Sequence, residues 1–331
     1  MSDLHLGGER PRARADIHWR STQLDHLRFM EHELDNIQGI SPYHFPVMIV
    51  GDIWNQWNTS LEDLNALLRP LRRIALKNDT YVVWGQHDLP YHNHLLLEKS
   101  AFDTLMQSTR MFNLSGSGHV KIRNEVTQKT EIKIHSFPWT EHQGMNGIDK
   151  KDVEGPQPKA VNIAMVHAYC YSGVCDIPGM SPKCDAAYYQ KLFKGYDFVV
   201  LGDHHKPFKL QGKGDLPTIV NCGGMIGRTK KEAYQEKCFW ILYEDKTVDR
   251  VPFPADLSIW NREYISSSAE DDETPAIDIS KIMVDTKEYL DSMKIAARDI
   301  IRLMIKAVQE QPDAVKVFMK QVLGDSDADV R

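Results

Sequence analysis

The sequence predicts an α/β fold, a buried sheet covered by helices, and two observations carry that reading. Four short apolar runs of strand type recur through the first 225 residues, each ending in a cluster rich in His, Asp and Gly. Amphipathic stretches with apolar residues at helical spacing lie between them. Strands apolar on both faces require helices on either side. Polar clusters at the C-terminal ends of such strands gather along one sheet edge, where α/β proteins bind ligands.

The elements follow in order. Leu24, Leu27, Met30, Leu34 and Ile37 predict the first helix. Val47–Val50 reads as a strand running into Gly51-Asp52. Ser60-Leu61-Glu62-Asp63 resembles a capping box and opens a helix with Leu64, Leu67, Leu68, Leu71 and Ile74 on one side. Arg69, Arg72, Arg73 and Lys77 are expected on its solvated face. Tyr81–Trp84 runs into Gly85-Gln86-His87-Asp88, and Ile163–Val166 runs into His167. A short helix is expected from Asp185, and Phe198–Leu201 then runs into Gly202-Asp203-His204-His205. Thr218–Val220 and Phe239–Tyr243 predict strands that close a sheet.

Ser266–Pro275 is polar, acidic and without apolar period, the signature of a linker. Beyond it, Leu290, Met293, Ala297, Ile300, Ile301, Met304 and Val308 form the stripe of a long helix. A second helix runs from Pro312 to a stop at Gly324. The expected division is a body over 1–255, an acidic linker or reduced cap over 256–281, and a helical arm over 282–331.

Composition narrows the function. With 42% hydrophobic and 26% charged residues the chain is an ordinary globular protein, not a disordered one. No apolar run reaches the length of a membrane span. Residues 266–331 hold 14 acidic and 9 basic side chains, against 32 and 31 in the rest, so the tail makes the chain acidic. A near-neutral body gives no compositional support to nucleic-acid binding. Five cysteines and no signal peptide after Met1 lead us to expect reduced thiols in a cytoplasmic compartment.

Nine candidate ligands fall on the predicted sheet edge: Asp3, His5, Asp52, Gln86, His87, His167, Asp203, His204 and His205. Gathering so many polar groups is costly unless they hold metal or one another. Carboxylate, imidazole and amide without thiolate favour Mn²⁺, Fe²⁺ or Zn²⁺. The number of donors suits two ions sharing a carboxylate, the arrangement used for attack on phosphorus. Cys170, Cys175 and Cys184 lack the paired spacing of a structural zinc site. His92 and His94 are expected on a surface loop, and Trp54, Trp57 and Trp139 in core or rim packing.

Taken in order, Asp3-x-His5, Gly51-Asp52, Gly85-Gln86-His87-Asp88, His167 and Gly202-Asp203-x-His205 resemble the five blocks of the calcineurin-like metallophosphoesterases. The resemblance covers roughly residues 1–250. It implies a four-layer αββα sandwich, two mixed β-sheets flanked by helices, with a C-terminal helical extension. It also implies that Asp3, His5, Asp52 and His205 hold one metal ion, and that Asp52 bridges to a second held by Gln86, His167 and Asp203. Both ions are expected to be Mn²⁺. His87 would face the phosphate and protonate the leaving oxygen.

The sequence departs from the family pattern at three places. Glutamine stands at position 86 where the family usually has asparagine, and aspartate at 203 where it usually has histidine. Only Met1 and Ser2 precede Asp3, where the family has a buried first strand. A start further upstream is favoured over loss of that strand, since several buried apolar side chains worth about 1.5–3 kcal/mol each would go with it.

Within the superfamily, Ile134-His135-Ser136-Phe137-Pro138-Trp139, the turn Asn221-Cys222-Gly223-Gly224-Met225-Ile226-Gly227-Arg228 and the helical tail resemble the SbcD-type nuclease subunits, phage relatives included. That branch implies a DNA end-processing nuclease, a homodimer within a heterotetramer with an SMC-like ABC ATPase, in a bacterial or phage-infected cytoplasm. Lys206, Lys209, Lys213, Arg228, Lys230 and Lys231 would be its DNA-backbone surface. Two rival readings stand beside it: a phosphoesterase of the same fold acting on a nucleotide or phosphoprotein, and a catalytically weak scaffold for the ATPase.

Overall fold

The computed structural model describes residues 1–40, 45–123, 131–175, 177, 179–254 and 259–267. The chain divides into two units, Met1–Ala269 and Glu270–Arg331. The expected arm over 282–331 lies outside the described residues, as does most of the expected linker.

Three parallel strands, β1 (Val47–Val50), β2 (Thr80–Val83) and β3 (Phe112–Asn113), form the first sheet in that order. The second sheet is mixed and six-stranded. It comprises β4 (His119–Arg123), β5 (Glu131–Phe137), β6 (Ala160–His167), β7 (Phe198–Gly202), β8 (Phe208–Leu210) and β9 (Thr218–Asn221), in the order β4-β5-β6-β7-β9-β8. β5, β6, β7 and β9 run parallel, and β4 and β8 are antiparallel edges. The strand expected at Phe239–Tyr243 does not join this sheet; β10 (Cys238–Leu242) pairs instead with β11 (Val248–Pro252) as a separate hairpin.

Side-chain alternation builds the layers. Val50, Tyr81 and Val83 of the first sheet share one cluster with Ile134, Ile163, Met165, Phe198, Val200 and Val220 of the second. The opposite face of the first sheet, with Ile49 and Val82, packs on α1 (Trp19–Ile40), α2 (Leu61–Lys77) and α3 (Ala101–Ser108) through Leu27, Met30, Leu67, Leu71, Ile74 and Phe102. The opposite face of the second sheet, with Ala164, Val166, Val199, Leu201 and Ile219, takes Tyr189 of α4 (Ala186–Leu192) and the adjoining Phe193. The result is the αββα layering, with each sheet buried on both sides as the apolar runs required.

The helix starts follow their caps. Ser60 Oγ accepts from Asp63 N at 3.1 Å, and Asp185 Oδ1 accepts from Ala187 N at 2.7 Å. On α2, Arg69 and Arg72 are exposed as expected, but Arg73 and Lys77 are not simply solvated. Arg73 forms a fork with Glu31 and Lys77 reaches Asp35, tying α2 to α1. Only the packing of α1 against α2 brings these acids within reach.

The body runs through part of the expected linker. Trp260 is buried against Ala13 and Ala233, bridges backbone with Arg14, and leads into α5 (Arg262–Ser266). Arg14 lies under the Trp260 ring at 4.7 Å and is paired with Asp16. No helix among the described residues is long and apolar enough to cross a membrane.

Candidate metal centre

The four strand ends that carry polar clusters are neighbours in space. Asp52 follows β1, Gln86 and His87 follow β2, His167 ends β6, and Asp203 and His205 follow β7. The remaining residues come from the N-terminal segment, which runs parallel along the free edge of β1. Ser2 bridges Val50, Asp3 N donates to Gly51 O at 3.1 Å, and His5 N donates to Asp52 O at 3.0 Å. Leu4 and Leu6 point the other way, into the helix-covered core. This alternation turns Asp3 and His5 toward the strand ends.

Close approach is enforced by glycine. A Cβ at Gly85 would overlap Asp52 Oδ1 and His167 Nε2, and one at Gly51 would overlap the His167 ring. Asp3, His5, Asp52 and Asp203 all have φ between +44° and +82°. That region disfavours residues bearing a Cβ, and its concentration here marks backbone bent to aim side chains at one point.

The donors converge in three groups, each with ligand atoms within 4.8 Å of one another: Asp3, His5 and His205; Asp3, Asp52 and His167; and His5, Asp52 and His87. Gln86 and Asp203 close the second side. Gln86 Oε1 lies 2.9 Å from His167 Nε2, and Gln86 Nε2 donates to Asp203 Oδ1 at 2.6 Å. All seven residues expected as ligands, with His87, are thus in one place. Among the described residues no such group includes a cysteine.

The electrostatics call for cations. Asp3, Asp52 and His167 are buried, and Asp3 Oδ2 and Asp52 Oδ2 have no hydrogen-bond partner. Burial pushes Asp3 up to about 6, only partly offset by His167 and His205. Burial also opposes the charge of Asp52, but the imidazoles of His167, His87 and His5 keep its pKa well below the carboxylate range. His167 pays the same desolvation, yet the Asp52 carboxylate raises it to about 10. Buried carboxylate oxygens without hydrogen-bond partners, facing imidazole nitrogens, fit a bound divalent cation.

No protein-family model matches the chain, and no curated protein matches it. Solved structures similar to it include a provisionally assigned 5′-nucleotidase from Staphylococcus aureus in complex with alpha-ketoglutarate. It is 12% identical, with a TM-score of 0.42 over 76% of this chain and 52% of that one. The chain spans about half the length of that structure.

Three supporting residues escaped the sequence reading. Glu232, 4% exposed, places Oε1 2.8 Å from His205 Nδ1 and takes Lys237 Nζ and Arg228 N on its other oxygen. Asp88 accepts from the amides of Gly85, Trp54 and Ile53, locking the β1 and β2 exits together; burial, then the Asp52 charge, raises it to about 7. Asn221 donates to the carbonyls of His204 and Lys206 and so pins the loop that carries His205. Glu232 belongs to no motif, and although Asp88 and Asn221 fall inside motifs, no local signal marked these hydrogen-bonding roles.

Other candidates are placed elsewhere. His204 stacks on Tyr169 and reaches Cys170 O at 2.7 Å, outside the donor groups. Trp54 is core. Of the basic residues beyond the motifs, Lys206, Lys209, Lys213 and Lys231 are exposed. Arg228 is drawn inward to His5 O, and Lys230 to Ser267.

Proposed function

We propose that this chain is a metal-dependent phosphoesterase of the calcineurin-like type, acting on a small phosphate ester. The observation that carries the reading is the pair of donor groups sharing Asp3, one with His5 and His205 and one with Asp52 and His167. They leave two buried carboxylate oxygens without a hydrogen-bond partner. Divalent ions held there, taken as Mn²⁺ from among the Mn²⁺, Fe²⁺ and Zn²⁺ that the donor chemistry suits, would supply Lewis acidity toward the phosphoryl oxygens and lower the pKa of a water nucleophile.

The chain's own groups do the rest. Asp52 would lie between the two sites, with Gln86 and Asp203 completing the His167 side. His87 is oriented by Asn55, whose backbone carbonyl accepts from Nδ1 at 3.1 Å. Since a carbonyl only accepts, Nδ1 carries the hydrogen and Nε2 faces the centre, 4.0 Å from Asp52 Oδ2. A proton on Nε2 is placed to reach a leaving oxygen. Glu232 holds the His205 ring, and Arg228 adds positive charge beside His5.

The test is hydrolysis of p-nitrophenyl phosphate and bis(p-nitrophenyl) phosphate after chelation and Mn²⁺ reconstitution. Activity that returns with about two equivalents of metal, and that Asp52→Asn removes, supports the reading; metal-independent activity overturns it. The exposed Lys206, Lys209 and Lys213 beyond the His205 loop favour a second, narrower reading as a DNA nuclease partnered by an SMC-like ATPase. Degradation of linear duplex DNA, faster than hydrolysis of the small esters, would select it.

A further inference from the structure

Two consecutive residues next to the metal centre, Tyr91 and His92, hold left-handed backbone conformations with φ of +52° and +58°. Neither is glycine, so both conformations are unfavourable, and strain of this kind persists where function requires it. They lie in the turn Pro90–His92, immediately after the turn Gln86–Asp88 that carries Gln86 and His87. Backbone bonds from His92 N to Leu89 O and from Asn93 N to Pro90 O hold the turn closed.

The turn presents two aromatic pairs. Tyr91 meets Trp57 with ring centroids 5.4 Å apart and planes at 49°, and His92 meets Trp139 with the same separation and tilt. Both tryptophans are anchored to the centre. Trp57 lies two residues beyond Asn55, which holds His87, and Trp139 N donates to the carbonyl of Trp84, the residue before Gly85. His92 is close enough to feel the charges of His87 and Asp52. None of the four side chains belongs to an apolar core cluster; Trp57, Tyr91 and Trp139 are half-buried and His92 is exposed. Core packing of these four rings therefore does not account for their arrangement.

We propose that Trp57, Tyr91, His92 and Trp139 form an aromatic rim that stacks on a nucleobase, so that the phosphate ester cleaved at the adjoining centre is that of a nucleotide. The proposal rests on the phosphoesterase reading for the reaction, but the rim's selectivity can be measured apart from it. A flat ring offers its face to any base, so the rim selects for a base without reading its edge.

The experiment compares thymidine 5′-monophosphate with 2-deoxyribose 5-phosphate on Mn²⁺-loaded protein, together with binding of thymidine alone by saturation-transfer NMR. The wild type should favour the base-bearing ester by about 10-fold in kcat/KM, the order expected for one stacked base. Tyr91→Gly removes the ring while suiting the left-handed backbone. It should hold its metal, keep or raise its thermal midpoint, lose thymidine binding, and bring the ratio between the two esters close to one through KM. Trp57→Leu should also lower that ratio. Equal kcat/KM for the two esters in the wild type, or a Tyr91→Gly protein that keeps its preference, overturns the rim. So does a lowered midpoint in Tyr91→Gly, because the ring then serves the fold. If neither ester is hydrolysed, the phosphoesterase reading fails, and thymidine binding alone still decides the rim.

Discussion

His205 Nδ1 lies 2.8 Å from Glu232 Oε1, and the acceptor is a carboxylate buried with Lys237 and the Arg228 amide on its other oxygen. A carboxylate cannot donate, so the ring must, which leaves Nε2 facing His5 Nε2 at 2.9 Å in the centre. Burial opposes a charge on this ring, yet Glu232 raises it to about 9. A metal-ligating histidine is commonly fixed in this way from its second nitrogen.

Glu232→Gln should therefore weaken metal binding on the Asp3, His5 and His205 side by about 10- to 100-fold while the fold persists. Calorimetric titration with Mn²⁺ would measure it. Unchanged affinity would leave Glu232 with only its link to Lys237.

Asp52→Asn removes the carboxylate common to two donor groups, and with it a partner of His167 at 3.5 Å. Metal content and hydrolysis should both fall. Two ions retained with full turnover would exclude Asp52 as the shared ligand.

His87→Ala should keep its metal and lose roughly 10²–10⁴-fold in rate, the usual worth of a general acid. The imidazole does lie within ligand range of His5 and Asp52. Loss of an ion with the side chain would make it a ligand instead.

Gly85→Ala probes the close approach at the centre, since the added methyl would meet Asp52 and His167 at overlapping distance. Overpacking of this kind costs about 1–3 kcal/mol. A lowered denaturation midpoint with impaired metal uptake is expected; an unchanged protein would mean that the β2 exit yields freely.

Acid stability should depend on His135, which is 1% exposed and lowered to about 4 by burial, with Lys133 adding to the effect. The unfolded chain then binds a proton between the ordinary histidine value and about 4 that the folded chain refuses. Stability falls as pH drops through that window and is unaffected by this group above it. His135→Gln should flatten the acid limb of a denaturation midpoint against pH profile. Parallel profiles for the two proteins would remove His135 from the account.

By itself, the sequence determined the layered α/β plan and the identity of the polar residues that converge at the strand ends. Apolar runs such as Ile163–Val166 must be buried on both faces, and a strand's end is local information, so His167 could be placed on the sheet edge without coordinates. The same holds for Asp52, Gln86, Asp203 and His205. Tertiary structure alone decided which of these donors share an ion-sized space, because Asp3 and His205 are distant in sequence and meet through the N-terminal segment's pairing along β1. It also decided the roles of Glu232, Asp88 and Asn221, whose polar atoms find partners only after burial removes water as the alternative. The ring pairs proposed as an aromatic rim belong to the same class. Tyr91 and Trp57 form no periodic pattern, and the tryptophans that meet the turn Pro90–His92 come from segments following other strands.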